Sequence, residues 1–152
     1  MSRAHELKRL LYMSEESIDG NEDRNHITGL EHALRVATLA YRHDPFSEMV
    51  FVGLVHDLAR PLSDPFHGEV MAEIVRDMVS DVSYNVLRTH GLYQEAHIHG
   101  TELDTTTAWH TDGLTLCAWE IASFRKPWNF PFTTMSVDDA ISIINDVCKG
   151  RD

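Results

Sequence analysis

The sequence predicts an all-α fold, and three observations lead to this expectation. Apolar residues recur at helical spacing along most of the chain, strand patterns are weak, and no internal repeat or low-complexity tract interrupts the helical pattern. The chain has 152 residues, of which 43% are hydrophobic, so it is long enough to bury a core. We therefore expect a single helical domain over residues 1–152.

Capping and breaking residues place the first two predicted helices. The first covers residues 3–13, and a polar loop over residues 14–27 follows it. Thr28 and Glu31 have the spacing of a capping box, in which each side chain bonds a free amide of the first turn. The second helix therefore begins at Thr28 and runs to about Arg42, before the helix-breaking Asp44-Pro45.

The later helices follow from the same signals. Residues 47–58 are apolar nearly all round, which predicts a central buried helix that ends before Pro61. The next helix is expected over residues 66–79, after Pro65, and a short one over residues 84–89 ends at His90-Gly91. Polar connections are predicted over residues 97–108 and 127–134, and the remaining helices over residues 111–124 and 136–149.

Charge and targeting signals narrow the class of protein. The formal net charge is −11, which argues against binding to nucleic acid or to an anionic membrane surface, because both need a basic face. The net charge does not exclude a small anionic or polar substrate. No signal peptide and no membrane-spanning stretch is apparent in the sequence, and Cys117 and Cys148 lie in no paired motif, so we expect a reduced, cytoplasmic protein.

Six ionisable side chains share helical faces with apolar residues and are therefore expected to point into the core. They are His32, His56, Asp57, His67, His90 and Glu120. Burial of any one charge alone costs on the order of several kcal/mol, whereas divalent cations would neutralise the carboxylates and bind neutral imidazoles. Such a set suits Fe or Mn, with Zn as an alternative, and suits Ca or Mg poorly.

Each of these histidines also has a simpler interpretation. A lone histidine on an apolar face is more often a core residue that is hydrogen-bonded to a backbone carbonyl. Six such groups together, with His56 and Asp57 adjacent in an apolar helix, favour the metal hypothesis. The other histidines lie on polar stretches and are expected at the surface: His5, His26, His43, His97, His99 and His110.

Three local strings resemble segments of a known family. They are Leu30-Glu31-His32-Ala33-Leu34, His90-Gly91-Leu92-Tyr93-Gln94 and Cys117-Ala118-Trp119-Glu120-Ile121-Ala122-Ser123-Phe124. Together with the His56-Asp57 pair, they resemble the HD-domain superfamily, in particular the mixed-valent diiron oxygenase branch that includes myo-inositol oxygenase and a phosphonate-cleaving oxygenase. The resemblance covers about residues 28–130 and implies an HD-domain helical bundle on which the terminal helices pack.

The resemblance implies a dinuclear centre of two Fe ions (Fe2+/Fe3+), with Mn or Zn as alternatives. One ion would be held by His32, His56, Asp57 and Glu120, and the other by Asp57, His67 and His90. Glu120 stands where the family usually has Asp. Arg60 and Gln94 occupy positions that the resemblance assigns to substrate binding, and no catalytic residue is implied beyond the ligands. Arg60 is equally consistent with a cation at the C-terminus of a helix, which the helix dipole favours.

Three functions remain open from the sequence. The first is O2-dependent oxidative cleavage of a C–P or C–C bond in a small polar substrate, such as a phosphonate. The second is hydrolysis of a phosphate ester or nucleotide by an HD-type metal-dependent phosphohydrolase, in which the metals activate water and Arg60 holds the anion. The third is a metal-binding module without catalytic activity.

Overall fold

The computed structural model describes residues 2–19, 27–128 and 133–151, and the all-α prediction is confirmed for them. Two short strands, β1 (Ile18–Asp19) and β2 (Ile27–Thr28), form an antiparallel pair. The described ranges otherwise contain seven helices: α1 Arg3–Met13, α2 Gly29–His43, α3 Met49–Val55, α4 His67–Ile74, α5 Asp81–His99, α6 His110–Ser123 and α7 Val137–Cys148.

The helices pack in a continuous set of contacts. Helix α2 packs on both α3 and α6, α5 packs on both α4 and α6, and α1 packs on α7. Every residue of α3 is buried, which confirms the predicted central helix. All seven helices contribute side chains to one core cluster. Within the described ranges, no helix is both long enough and apolar enough to cross a membrane.

Two of the predicted helix starts are confirmed by their caps. The Thr28 side chain accepts a hydrogen bond from the Glu31 backbone amide at 3.0 Å, and the Glu31 carboxylate binds Arg35 instead of completing the box. Ser136 and Asp139 form a complete, reciprocal capping box at the start of α7. These bonds satisfy amides of the first turn that have no partner within the helix.

Helix α5 is much longer than predicted. The expectation of a helix over residues 84–89 that ends at Gly91 is wrong, because α5 continues to His99 and is capped by Gly100 with φ 69°. Glycine inside a helix costs only about 1 kcal/mol, and burial of Tyr93 on the next turn offsets that cost. Residues 97–99 therefore belong to a helix and not to the predicted loop.

Helix α3 ends earlier than predicted, at Val55, so His56 and Asp57 follow the helix directly. The His56 ring nitrogen Nδ1 lies 2.6 Å from the Gly53 carbonyl oxygen. In a continuing helix that carbonyl would accept from the Asp57 amide. The backbone continues in tighter turns, in which Leu58 N donates to Val55 O at 3.0 Å.

The other predicted boundaries differ in smaller ways. Helix α4 ends at Ile74, before the predicted residue 79, and turns follow it. Residues 20–26 of the first predicted loop and residues 129–132 of the last one lie outside the described residues. The strands β1 and β2 occupy described parts near the two ends of the first loop.

Candidate metal centre

The structure brings all six predicted inward-facing side chains into one cluster. Helix α2 supplies a histidine, the turn after α3 supplies the His-Asp pair, and α4, α5 and α6 supply one side chain each: His32, His56, Asp57, His67, His90 and Glu120. Five of them are buried, and His67, at the first position of α4, is partly exposed. The cluster can hold a metal ion in either of two overlapping groups that share Asp57.

The first donor set joins His32, His56, Asp57 and Glu120. The two imidazole Nε2 atoms of His32 and His56 are 3.1 Å apart. Asp57 Oδ2 lies 3.2 Å from His32 Nε2 and 3.3 Å from His56 Nε2. Glu120 Oε1 lies 3.1 Å from His56 Nε2.

The second donor set uses the other oxygen of Asp57. Asp57 Oδ1 lies 3.0 Å from His67 Nε2 and 3.1 Å from His90 Nε2. The Nε2 atoms of His67 and His90 are 3.0 Å apart. Asp57 therefore presents one carboxylate oxygen to each set, which is the arrangement of a carboxylate that bridges two cations.

These separations suit adjacent ligands of one cation. A cation bound at about 2.1 Å separates neighbouring ligand atoms by about 3.0 to 3.4 Å in octahedral or tetrahedral geometry. The short donor–donor distances quoted above run from 3.0 Å (His67–Asp57) to 3.3 Å (His56–Asp57). The donor atoms are therefore already as far apart as neighbouring ligands of one cation would be.

Hydrogen bonds behind the rings fix which nitrogen faces the cluster. Nδ1 of His56, His67 and His90 lies 2.6 to 2.7 Å from the backbone carbonyl oxygens of Gly53, Asp64 and Leu87. A carbonyl oxygen only accepts, so each Nδ1 carries the proton. In the neutral ring, Nε2 then offers a lone pair to the cluster, as metal-bound histidines do.

The cluster needs a positive charge at its centre. Two neutral Nε2 lone pairs that face each other at 3.0 Å, as in His67 and His90, repel unless a proton or cation lies between them. An ionised Asp57 has no proton to donate. Glu120 Oε2 is buried without a hydrogen-bond partner among the described residues, which is costly for a carboxylate. A cation in each donor set would accept the facing lone pairs and balance the carboxylate charges, so the two sets fit metal ions.

In the metal-free protein, protons on the clustered side chains supply this positive charge. Burial lowers the pKa of His56, but the negative charges of Asp57 and Glu120 outweigh burial and raise this pKa well above its ordinary value of 6.5. Burial raises the pKa of Asp57, but His56 and the bonds from neighbouring histidines hold it well below its ordinary value of 3.8. Hydrogen bonding to Asp57 likewise raises the pKa of His67 against the effect of burial.

These pKa directions predict opposite pH trends for the stability of the metal-free protein and for its affinity for metal. The contribution of His56 to stability is complete below 6.5, its unfolded value, and is lost as the pH rises through its raised folded value. The contribution of Asp57 is present above 3.8 and is lost as the pH falls through its lowered value. We therefore expect the metal-free protein to lose stability above neutral pH, where metal binding strengthens because fewer protons compete.

Thermal unfolding with and without Zn2+ as a probe measures this effect. The increase in Tm that Zn2+ causes should grow between about pH 6 and pH 8, as protons leave the imidazoles. The exposed His99→Ala variant, which leaves the cluster intact, should show the same growth. A Zn2+ effect that is constant or declines over this range would contradict proton competition at the cluster.

The two predicted substrate-binding residues lie on different sides of the cluster. The Arg60 guanidinium is near enough to His67 to oppose its protonation, and its Nε lies 3.4 Å from Asp64 Oδ1. Gln94 instead donates a hydrogen bond from its amide to Glu120 Oε1. Gln94 therefore contacts a carboxylate of the first set, and its predicted contact with a substrate stays a prediction.

Access to the cluster differs between its two ends. On the Glu120 side, a cavity of about 40 Å³, lined by Gln94, Ile121 and Phe124 among others, has room for about one water molecule. On the other side, the His67 side chain is 12% exposed, against 0% for His56. Among the six donors, His67 thus gives the second set the most direct contact with solvent.

Among the described residues, no other histidine belongs to the two donor sets, although His97 lines the cavity that adjoins Glu120. His5, His43, His97 and His99 are exposed, as predicted, and His26 lies outside the described residues. His110 differs from the prediction because it is only partly exposed, and its Nδ1 lies 3.1 Å from the Tyr93 hydroxyl. Tyr93 is buried, so the start of α6 packs against α5 at this point.

Two residues with roles at the cluster were missed by the sequence argument. Ser123 contacts His32, and Gly68 lies where a larger side chain would meet His90. Ser123 is one turn after Glu120, and Gly68 directly follows His67. Their proximity to proposed ligands was the available signal, but serine and glycine are too common for spacing alone to select them.

Comparison with known proteins adds no family to this geometry. The sequence matches no protein-family model, and no curated protein matches it significantly. The six donors and the residues that hold them are therefore the features of this chain that indicate a function.

Proposed function

We propose that this chain is an HD-domain protein of the dinuclear-iron oxygenase type, acting on a small polar or anionic substrate. The observation that carries the proposal is the division of Asp57 between two donor sets, with His32 and His56 at Oδ2 and His67 and His90 at Oδ1. A mononuclear site would not need two histidine pairs on opposite oxygens of one carboxylate. The six donors belong to the residue types that hold iron in proteins.

The chain's own residues would prepare the two positions differently. The first set has four protein donors with buried side chains, and the second has three donors, including the partly exposed His67. Fewer donors and greater exposure leave room for a substrate oxygen at the second position, with the positive charge of Arg60 close to His67. Two bound Fe ions (Fe2+/Fe3+) would supply the redox chemistry for O2-dependent cleavage of a C–P or C–C bond.

Metal analysis with electron paramagnetic resonance tests the proposal. Protein from iron-replete expression, purified without oxygen, should contain two Fe per chain. Partial oxidation to Fe2+/Fe3+ leaves an odd number of electrons, so a resonance signal should appear and should change when oxygen and substrate are added together. One metal per chain, or zinc alone, would contradict the diiron proposal.

A metal-dependent phosphohydrolase is the second candidate, and the position of Arg60 favours it. A cation beside the more exposed donor set suits the binding of a phosphate ester or nucleotide. The metals would then activate water without a redox change. Release of phosphate from a panel of phosphate esters by the Mn2+-loaded or Zn2+-loaded protein without oxygen would support this candidate over the oxygenase.

The enclosure of the first donor set supports a third candidate, a metal-binding module without catalysis. The cavity that adjoins Glu120 holds only about 40 Å³, too little for a substrate without movement of the surrounding helices. Metal that raises Tm but supports neither oxygen consumption nor phosphate release would favour this candidate.

A further inference from the structure

Ser123 is a buried polar residue that the proposed function does not use. It lies at the last position of α6 and is fully buried. Its hydroxyl oxygen is 2.7 Å from His32 Nδ1 and 2.6 Å from the Glu120 carbonyl oxygen. Ser123 thus contacts two residues of the first set, His32 on α2 and Glu120 on its own helix.

The donor and the acceptor in both hydrogen bonds of the Ser123 hydroxyl follow from the groups that form them. The Glu120 carbonyl oxygen can only accept, so the Ser123 hydroxyl donates its single proton to it. The hydroxyl must then accept from His32, which requires the His32 proton to be on Nδ1. The Nε2 lone pair of His32 is consequently directed to the cluster.

His32 differs from the other three histidines in this respect. Nδ1 of His56, His67 and His90 is held by backbone carbonyls, which no side-chain substitution removes. His32 is held by a side-chain hydroxyl, so its tautomer depends on the identity of one residue. The backbone carbonyl of Ser123 also accepts a hydrogen bond from Arg35 Nη1 at 2.6 Å, which fixes Ser123 against α2. Arg35 lies one turn along α2 from His32.

We propose that Ser123 is a positioning residue that sets the tautomer of His32 and so tunes the affinity of the first donor set for metal. The inference rests on the proposed metal centre but not on its oxygen chemistry. Hydrogen bonds behind metal-bound histidines typically change metal affinity by about 10- to 100-fold. The effect should be confined to the first set, because Ser123 contacts none of the donors of the second.

Nitrogen-15 NMR of the histidine rings in the full-length, metal-free chain tests the tautomer directly. The unchanged protein should show His32 with its proton on Nδ1, and Ser123→Ala should give a mixture of tautomers. Ser14→Ala is the matched control, because Ser14 is also buried and also donates to the carbonyl three residues earlier, that of Leu11. It should leave the His32 signals unchanged.

Metal titration gives the second measurement. In a His67→Ala background, which isolates the first set, Ser123→Ala should weaken Zn2+ binding by about 10- to 100-fold. Ser123→Thr keeps the hydroxyl and should restore the affinity to within about threefold, while Ser14→Ala should leave it unchanged. If Ser123→Thr does not fold, the comparison of Ser123→Ala with Ser14→Ala decides.

The outcomes separate this inference from the proposed function. An unchanged His32 tautomer in Ser123→Ala, or a loss of Zn2+ affinity equal to that in Ser14→Ala, overturns the role of Ser123. A protein that binds zinc but never two irons overturns the diiron proposal and leaves the tautomer result standing. A protein that binds no metal at all overturns both the metal centre and the tuning role.

Discussion

Asp57→Asn should abolish metal binding at both positions of the cluster. The substitution keeps the size of the side chain but removes the negative charge that both donor sets share. One set would lose this ligand and the other would keep only a neutral amide oxygen, so a fall in affinity of more than about 100-fold is expected at both positions, beyond the effect typical of changes behind the ligands. Metal analysis after gel filtration should show close to zero metal ions per chain.

His67→Ala provides the matched comparison for this prediction. It removes one donor of the second set and leaves the four donors of the first set in place. We expect one metal ion per chain and a fold that is largely intact by circular dichroism, because the His67 side chain is partly exposed. Equal metal loss in the two variants would argue against Asp57 as the shared ligand, and unfolding of His67→Ala without metal loss would favour a core role for this histidine.

Gly68→Ala should disrupt the second donor set through the backbone. A Cβ atom at Gly68 would lie 2.6 Å from the Leu87 carbonyl oxygen and 3.1 Å from His90 Nδ1, the two atoms of the hydrogen bond that orients the His90 ring. The backbone oxygen cannot move aside without moving α5, so α4 and α5 must separate. We expect a loss of about 1–3 kcal/mol in the free energy of unfolding and a fall of more than about tenfold in affinity at the second position.

Gly91→Ala is the control for this substitution. Gly91 follows His90 in α5, and a Cβ atom there would meet no neighbour within 4 Å. Alanine in place of this exposed helical glycine should raise the free energy of unfolding by about 0.5–1 kcal/mol and leave both affinities unchanged. Urea denaturation and Zn2+ titration of the two variants would contradict the prediction if Gly68→Ala behaved like Gly91→Ala.

The fold was largely predictable from local signals, and its exceptions have local causes. Helical periodicity predicted the all-α class, and the Thr28–Glu31 spacing predicted the start of α2. The predicted end at Gly91 was wrong because one glycine destabilises the helix by less than burial of the following turn stabilises it. At the early end of α3, the His56 side chain bonds the Gly53 carbonyl, which the next amide of a continuing helix would otherwise reach.

The sequence by itself determined which side chains face the core, because the direction of a side chain on a helix follows from spacing within the helix. That was sufficient to select the six donors. Only the tertiary structure decided which Asp57 oxygen meets which histidines, and that Ser123 lies behind His32, 91 residues earlier in the chain. Such contacts depend on how closely the helices pack, as at Gly68, and spacing within a single helix carries no information about that distance.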